Sequence, residues 1–308
     1  MKTTLKSNIK SHTKLIFSVL SIVLALFALS INNDHSSNYH FAEVINFNNN
    51  SSRFVQGDSG DLMWAKYDDN DGSESWFMGG SFTRIGWDWG NCVNIAAGNN
   101  GVLYTVNSKG ELFWLQHQGR NGEVNWRNNG TGKKIGWGWE KYSNLVAGDD
   151  GVIFAITPDG DLHWFKHLGK NGESSWANNG EPRKIGWGWE KYSSIVAGDN
   201  GELFAVTDKG ELFWFKYLGN NGERSWANNG QPQQIGWNWD KYTKVIAGEN
   251  GVLYAISKKG ELFWFKYEGS NGETKWANNG TAKKIGWNWE KFRLVTSGNN
   301  GELYAVPF

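Results

Sequence analysis

Asp208-Lys-Gly-Glu-Leu-Phe-Trp-Phe-Lys-Tyr217, Asn221-Gly-Glu-Arg-Ser-Trp226, Ile235-Gly-Trp-Asn-Trp239, Val245-Ile-Ala-Gly248 and Gly251-Val-Leu-Tyr-Ala-Ile256 follow one another along the chain and then begin again. The same series starts near Asp58, Ser108, Pro158 and Lys258, always at a spacing of fifty residues. All twenty tryptophans keep this register: Trp64, Trp76, Trp87 and Trp89 recur at the same four offsets, ending with Trp264, Trp276, Trp287 and Trp289. A fixed period of this length marks a repeat architecture, in which no unit buries its apolar face alone. The units run near 58–107, 108–157, 158–207, 208–257 and 258–306. The first is the most diverged, with Met63 and Ala65 where later copies carry larger apolar or aromatic residues.

Within a unit, Leu212–Tyr217 and Val252–Ile256 are rich in the aromatic and branched residues that suit strands. Alternation points Leu212 and Trp214 one way and Phe213, Phe215 and Tyr217 the other. Both faces are apolar, so each sheet needs a neighbour on either side. Sheets stacked around a ring meet that condition. The dipeptides Asn221-Gly222, Asn229-Gly230 and Asn250-Gly251 tolerate positive φ and suit tight turns. Four strands per unit are predicted: Val245–Gly248, Gly251–Ile256, Leu212–Tyr217 and a short one around Trp226. That is the content of a propeller blade. The chain ends on the first two strands of a unit, Arg293–Gly298 and Gly301–Val306, and its first repeat starts at the third strand, Leu62–Lys66. The expected fold is therefore an all-β, five-bladed β-propeller. Its composite blade takes two inner strands from the C-terminus and two outer strands from the N-terminus.

Lysine plus arginine and aspartate plus glutamate each number 31, a formal net charge of zero that offers no electrostatic footprint for nucleic acid. The N-terminus carries basic residues, an apolar run from Leu15 to Leu29, and small residues at Ala28 and Ser30. This pattern describes a secretory signal peptide, and the run is shorter than the ~20 residues that usually span a bilayer. The expected organisation is a signal peptide over 1–30, a flexible Asn/Ser-rich leader over 31–53 and the propeller over 54–308. Cys92 is the sole cysteine, so a monomer has no disulfide. Its counterparts Tyr142, Tyr192, Tyr242 and Phe292 mark it as a small residue in an aromatic core slot.

Ile135-Gly136-Trp137-Gly138-Trp139-Glu140-Lys141-Tyr142, a following Gly148, then Gly151 with the apolar strand after it, and Leu162-His-Trp164 resemble the tachylectin family. The resemblance spans roughly Asp58 to Val306. It implies a five-bladed β-propeller lectin of the horseshoe-crab type, with secreted bacterial relatives, that binds N-acetylated amino sugars at one shallow site per blade interface. Trp89, Trp139, Trp189, Trp239 and Trp289 stand where the family tryptophan stands. The chain departs from the pattern at Trp137 and its counterparts, which are extra aromatics in place of a small residue. Gly138 is also replaced by Asp88, Asn238 and Asn288 in other copies.

A neutral sugar needs an aromatic plate for its C–H face and fixed donors and acceptors for its hydroxyl and acetamido groups. The candidate carbohydrate-binding residues are Trp89, Trp139, Trp189, Trp239 and Trp289, with Asn100, Asp150, Asn200, Asn250 and Asn300. The last five precede glycines and equally suit turns. Trp126-Arg-Asn-Asn-Gly130 and its counterparts place further amides beside an aromatic. Trp214 and Trp226 read as packing between blades. An extended backbone would point Trp237 and Trp239 the same way. No catalytic triad or nucleophile elbow is present. His163 and His167 would lie about 13 Å apart on a strand, too far for shared metal ligation. Asp68-Asp-Asn-Asp-Gly-Ser-Glu74 resembles the start of a calcium loop but lacks the later ligands and reads as a hairpin turn. The expected function is that of a secreted, multivalent, non-enzymatic lectin without cofactor or metal. Its partners would be glycans on cell surfaces or glycoproteins, with membranes met only through their glycans. The alternative is a secreted propeller scaffold for protein–protein interaction.

Overall fold

The fifty-residue units fold as four-stranded antiparallel sheets in the computed structural model, which describes residues 60–308. The expected signal peptide (1–30) and leader (31–53) lie outside the described residues. The first blade comprises Cys92–Ala97, Val102–Asn107, Leu112–Gln116 and Lys133–Gly136. The second comprises Asn144–Ala147, Val152–Ile156, Leu162–Lys166 and Arg183–Gly186. Two more blades follow at the same period, from Tyr192–Ala197 to Gln233–Gly236 and from Tyr242–Ala247 to Lys283–Gly286. The fifth is composite: Phe292–Ser297 and Glu302–Pro307 pair onward with Leu62–Lys66 and Thr83–Gly86. Met63 stands opposite Ala305 and Trp64 opposite Tyr304, so the two ends of the propeller share one ladder. The chain is thus a five-bladed β-propeller closed by both of its ends.

Alternation along the third strand supplies the interblade core. Leu212 and Trp214 join Ile235, Trp239, Leu253 and Phe265 on one side of their sheet. Phe215 and Tyr217 join Phe154, Trp164 and Trp189 on the other. Trp64, Trp114, Trp164, Trp214 and Trp264 are among the largest fully buried side chains. At ~25 cal/mol per Å2, burying an indole of about 150–250 Å2 contributes roughly 4–6 kcal/mol before ordering costs. The innermost strands contact one another in a closed cycle and line an axial cavity of 260 Å3.

The fourth strand lies elsewhere than predicted. It is Gln233–Gly236, while Trp226 makes only an isolated bridge to Tyr217. The cause is local. Asn228, Asn229 and Gly230 all take positive φ, which coils the chain after Trp226 and prevents a strand there. Trp226 instead ties blades together, its indole N–H donating to Ile185 O of the preceding blade at 2.9 Å. Trp76, Trp126, Trp176 and Trp276 make the same bond to Ile285, Ile85, Ile135 and Ile235. Every blade interface therefore carries one such tie.

Candidate functional site: the clefts between blades

The Trp-x-Trp segment that leaves each fourth strand is not extended. Gly138 has φ 74°, and Asp88, Gly188, Asn238 and Asn288 occupy the same left-handed region. Glycine, asparagine and aspartate are the residues that visit this region most readily, which accounts for the variation at this position. The turn separates the two rings. Trp139 is only 6% exposed and Trp137 is 80% exposed, and the same contrast recurs in the other four copies. The condition for both rings to face one way, an extended backbone, is not met: a left-handed residue between them breaks the alternation.

Trp139 is seated by its neighbours. Its backbone N–H donates to Gly110 O at 3.0 Å. Its indole lies so close over Gly136 that a Cβ there would meet Nε1 at 2.5 Å, which explains the glycine of the Ile-Gly-Trp motif. The ring packs at 5.4 Å from Tyr142, 4.7 Å from Phe165 and 6.0 Å from Trp176, the last two contributed by the next blade. Trp189 and Trp239 repeat this arrangement with Tyr192, Phe215 and Trp226 and with Tyr242, Phe265 and Trp276.

Over the floors at Trp139 and Trp189 the blades leave an opening. The cleft at Trp139 measures 680 Å3 and is lined by Trp137, Lys141, Tyr142, Trp176 and the exposed Asn179. The cleft at Trp189 measures 550 Å3 and has Trp187, Lys191, Tyr192, Trp226 and Asn229 in the same places. Asn179 and Asn229 are held at φ 54° in the turn after the tie tryptophan, so their amides sit on a fixed backbone. Lys141 Nζ stands 5.2 Å from the Tyr142 ring centroid and Lys191 Nζ 5.1 Å from that of Tyr192. Burial pushes the Tyr142 and Tyr192 hydroxyls up to about 12, so both are neutral at physiological pH. Each cleft thus combines apolar plates, a cation and a backbone-anchored amide, a set suited to a neutral, hydroxylated ring.

The profile of the Tachylectin family matches residues 55–238 and again 171–307, which together cover most of the chain. The chain belongs to the Tachylectin family. No curated protein sequence matches it significantly. Among solved structures, one described by the words "The de novo evolutionary emergence of a symmetrical protein is shaped by folding constraints" is similar at 20% identity and TM-score 0.51. That alignment covers 76% of this chain and 97% of the other, and it supports the fold alone. Human WBSCR16 aligns at 15% identity and TM-score 0.37, over 70% of this chain and 58% of its own. Prp20p from Saccharomyces cerevisiae aligns at 12% identity and TM-score 0.38, over 81% of this chain and 65% of its own. These last two likenesses are too slight to carry an argument.

Membership of the Tachylectin family implies carbohydrate binding in general, and it gives the clefts their interest. The clefts at Trp139, Trp189 and Trp239 share one aromatic set, but the other two interfaces of this Tachylectin-family chain differ. At Trp289 the strand residue facing the cleft is Ala65, and Phe82 fills the space. Phe82 packs 5.0 Å from Trp289 and 4.8 Å from Phe292 and is buried. At Trp89 the tyrosine is replaced by Cys92 and the lysine by Asn91, with Leu115 in place of phenylalanine. The Cys92 thiol is buried and donates to Asn94 O at 3.1 Å, and burial pushes it up to about 11.

The two halves of the candidate set occupy different places. Trp89, Trp139, Trp189, Trp239 and Trp289 are all buried at the blade interfaces, and Trp139 and Trp189 floor the open clefts. Asn100, Asp150, Asn200, Asn250 and Asn300 lie in the turns after the innermost strands, all at φ between 52° and 59°. None of them lines the Trp139 or Trp189 cleft. Instead the four asparagines link blades. The Asn100 N–H donates to Asn299 Oδ1 at 2.7 Å and the Asn300 N–H to Glu249 Oε2 at 2.6 Å. Asn200 and Asn250 donate likewise to Asp149 and Asp199. Their repetition reflects a ring-closing turn. Lys141 and Tyr142, from the same segment as Trp139, and Phe165, which reaches the cleft only when the next blade packs, complete the lining beyond the sequence candidates.

The histidines have structural partners. His117 and His167 fill a slot that holds Tyr67, Tyr217 and Tyr267 in other copies. His117 Nε2 bonds Glu123 O at 2.9 Å and its Nδ1 bonds the Tyr304 hydroxyl at 3.2 Å. His167 repeats this with Glu173 O at 2.8 Å and the Tyr104 hydroxyl at 3.4 Å. In the Asp68–Glu74 loop, Asp69 accepts from the Asn70 and Asp71 N–H groups and Asp71 from the Ser73 N–H, the pattern of a self-bonded turn. Among the described residues no group of three or more metal-ligating side chains converges, and no helix is long and apolar enough to cross a membrane.

Proposed function

We propose that the chain is a secreted, multivalent carbohydrate-binding protein for N-acetylated amino sugars, acting without catalysis. The observation that carries this reading is the recurrence of one cleft, floored by Trp139 or Trp189 and rimmed by Asn179 or Asn229, with the same aromatic floor repeated at Trp239, within a Tachylectin-family propeller. In such a cleft the apolar face of a pyranose rests on the aromatic floor. The exposed asparagine amide serves the acetamido group and ring hydroxyls. Single contacts of this kind bind at about millimolar Kd, roughly −4 kcal/mol. Several clefts on one ring raise avidity for a glycan-covered surface by up to ~10²–10⁴ where the geometry permits.

Calorimetric titration of the chain with N-acetylglucosamine and N-acetylgalactosamine tests the reading. Saturable binding to either, abolished by Asn179→Ala with Asn229→Ala and Asn279→Ala in a chain that keeps its near-UV spectrum, supports it. A folded ring that binds no glycan would reject it and favour the protein-scaffold alternative.

A further inference from the structure

The outer tryptophans are left largely in water. Trp137, Trp187, Trp237 and Trp287 are between 58% and 80% exposed, at the same offset in four successive copies. A large aromatic face left in water at a repeated position marks a surface kept for a partner. Two facts say where that partner lies. Trp137 and Trp187 line the same clefts as the buried Trp139 and Trp189, so each cleft has an inner and an outer ring. The left-handed residue between the pair leaves the first ring outward at the lip while the second turns in. The clefts also measure 680 and 550 Å3, within the ~300–1,000 Å3 that accommodates drug-sized ligands and more than a single pyranose needs.

Resting on the lectin reading above, we propose that the outer indoles form a second subsite. Each open cleft then grips two or more consecutive residues of an N-acetylated sugar chain, the first on the inner ring and the next against the outer one. The surroundings of the outer ring fit a sugar. Ser174 and Glu181 share the cleft with Trp137 and offer partners to hydroxyls. An acyl chain or an apolar peptide face would strip water from the Glu181 carboxylate and the Asn179 amide without replacing it, an unfavourable exchange. At Trp187 the Arg224 guanidinium stands 5.6 Å from the ring centroid, covering one face and leaving the other for the ligand.

The test compares affinities for N-acetylglucosamine and its β1,4-linked dimer and trimer. The full chain is titrated beside a quadruple variant carrying Trp137→Ser, Trp187→Ser, Trp237→Ser and Trp287→Ser. The wild type is expected to bind the trimer about tenfold more tightly per site than the monosaccharide, the factor that corresponds to ~1.4 kcal/mol. In the variant that ratio falls to about one. A ratio near one in the wild type, or a variant that keeps the preference, overturns the second subsite and leaves the lectin reading standing. A folded wild type that binds none of the three overturns both. In that case, sedimentation with phosphatidylcholine vesicles that the variant loses would reassign the outer rings to a bilayer surface.

Discussion

Phe82 shows how one residue changes what a repeat can do. Its counterparts are Gly132, Pro182, Pro232 and Ala282, none of which reaches the floor of its cleft as an aromatic ring would. With Ala65 opposite, Phe82 restores the packing around Trp289 at the expense of the opening. Full aromatic clefts remain only at Trp139, Trp189 and Trp239, so saccharide titrations of the wild type are expected to give a stoichiometry of about three rather than five. Phe82→Ala should destabilise the fold by about 3–5 kcal/mol, read from the urea midpoint, because it leaves a cavity among large rings. The His117 and His167 slots give a pH signature. Burial holds both imidazoles below their ordinary value of ~6.5, so the folded state keeps them neutral. Below that pH the unfolded chain binds more protons than the folded one. The stability these sites contribute is thus full above ~6.5 and is lost as pH falls. The His117→Tyr, His167→Tyr double variant, which copies Tyr217 and Tyr267, should flatten the fall in urea midpoint between pH 7 and pH 5. An unchanged slope would assign the acid sensitivity to other groups.

Elements were legible in the sequence where side-chain period decides structure and illegible where backbone conformation does. The third strand was readable because Leu212, Trp214 and Phe215 must be buried on opposite faces, and they are. The fourth was misplaced because Trp226 is as apolar as a strand residue, while the obstacle to a strand is three consecutive positive φ angles after it. The orientation of the Trp-x-Trp pair was left open for the same reason. Asn238 and Gly138 look interchangeable with any small residue until their φ of 63° and 74° is known. The aromatic half of the candidate site was readable as a repeated family position. Its partners Phe165 and Asn179 were not, since nothing in one unit says which residues of the next will face it. The conformational account can be checked at Gly138, where an added Cβ would meet nothing within 4 Å. A cost there can come only from φ. Gly138→Val should therefore lower stability by roughly 1–2 kcal/mol, whereas Gly138→Asn should cost less than half as much, as Asn238 and Asn288 occupy the same turn. Equal losses in the two variants would show that φ does not control this position.

At the scale of the whole molecule the ring must close between the composite blade and the first blade, and Arg293 is the residue that breaks the repeat to do so. Of its counterparts Val93, Ser143, Ser193 and Thr243, the three hydroxyl residues each bond one carbonyl of their own blade, at 3.1, 3.2 and 3.1 Å. Arg293 also bonds the adjoining strand of its own blade, one residue further along, from Nε to Pro307 O at 3.1 Å. Its remaining nitrogens reach across the seam to Cys92 O, to Trp89 O at 2.8 Å and to Gly90 O at 3.3 Å. One guanidinium therefore joins the last two strands of the chain to the first complete blade. Hydrogen bonds from a charged donor contribute about 1.5–3 kcal/mol each way they are lost, against ~1 kcal/mol for a neutral hydroxyl. Arg293→Ala should accordingly destabilise the ring by about 2–4 kcal/mol, and Ser193→Ala, at an ordinary interface, by ~1 kcal/mol or less. Deleting residues 301–308 goes further, because it removes the strand to which Met63 and Trp64 pair and leaves two blade edges unpaired. That truncation should lower Tm by more than Arg293→Ala does and increase the hydrodynamic radius. If the truncated chain kept its Tm and radius, closure by the shared blade would contribute nothing to stability, and the arginine at the seam would need another explanation.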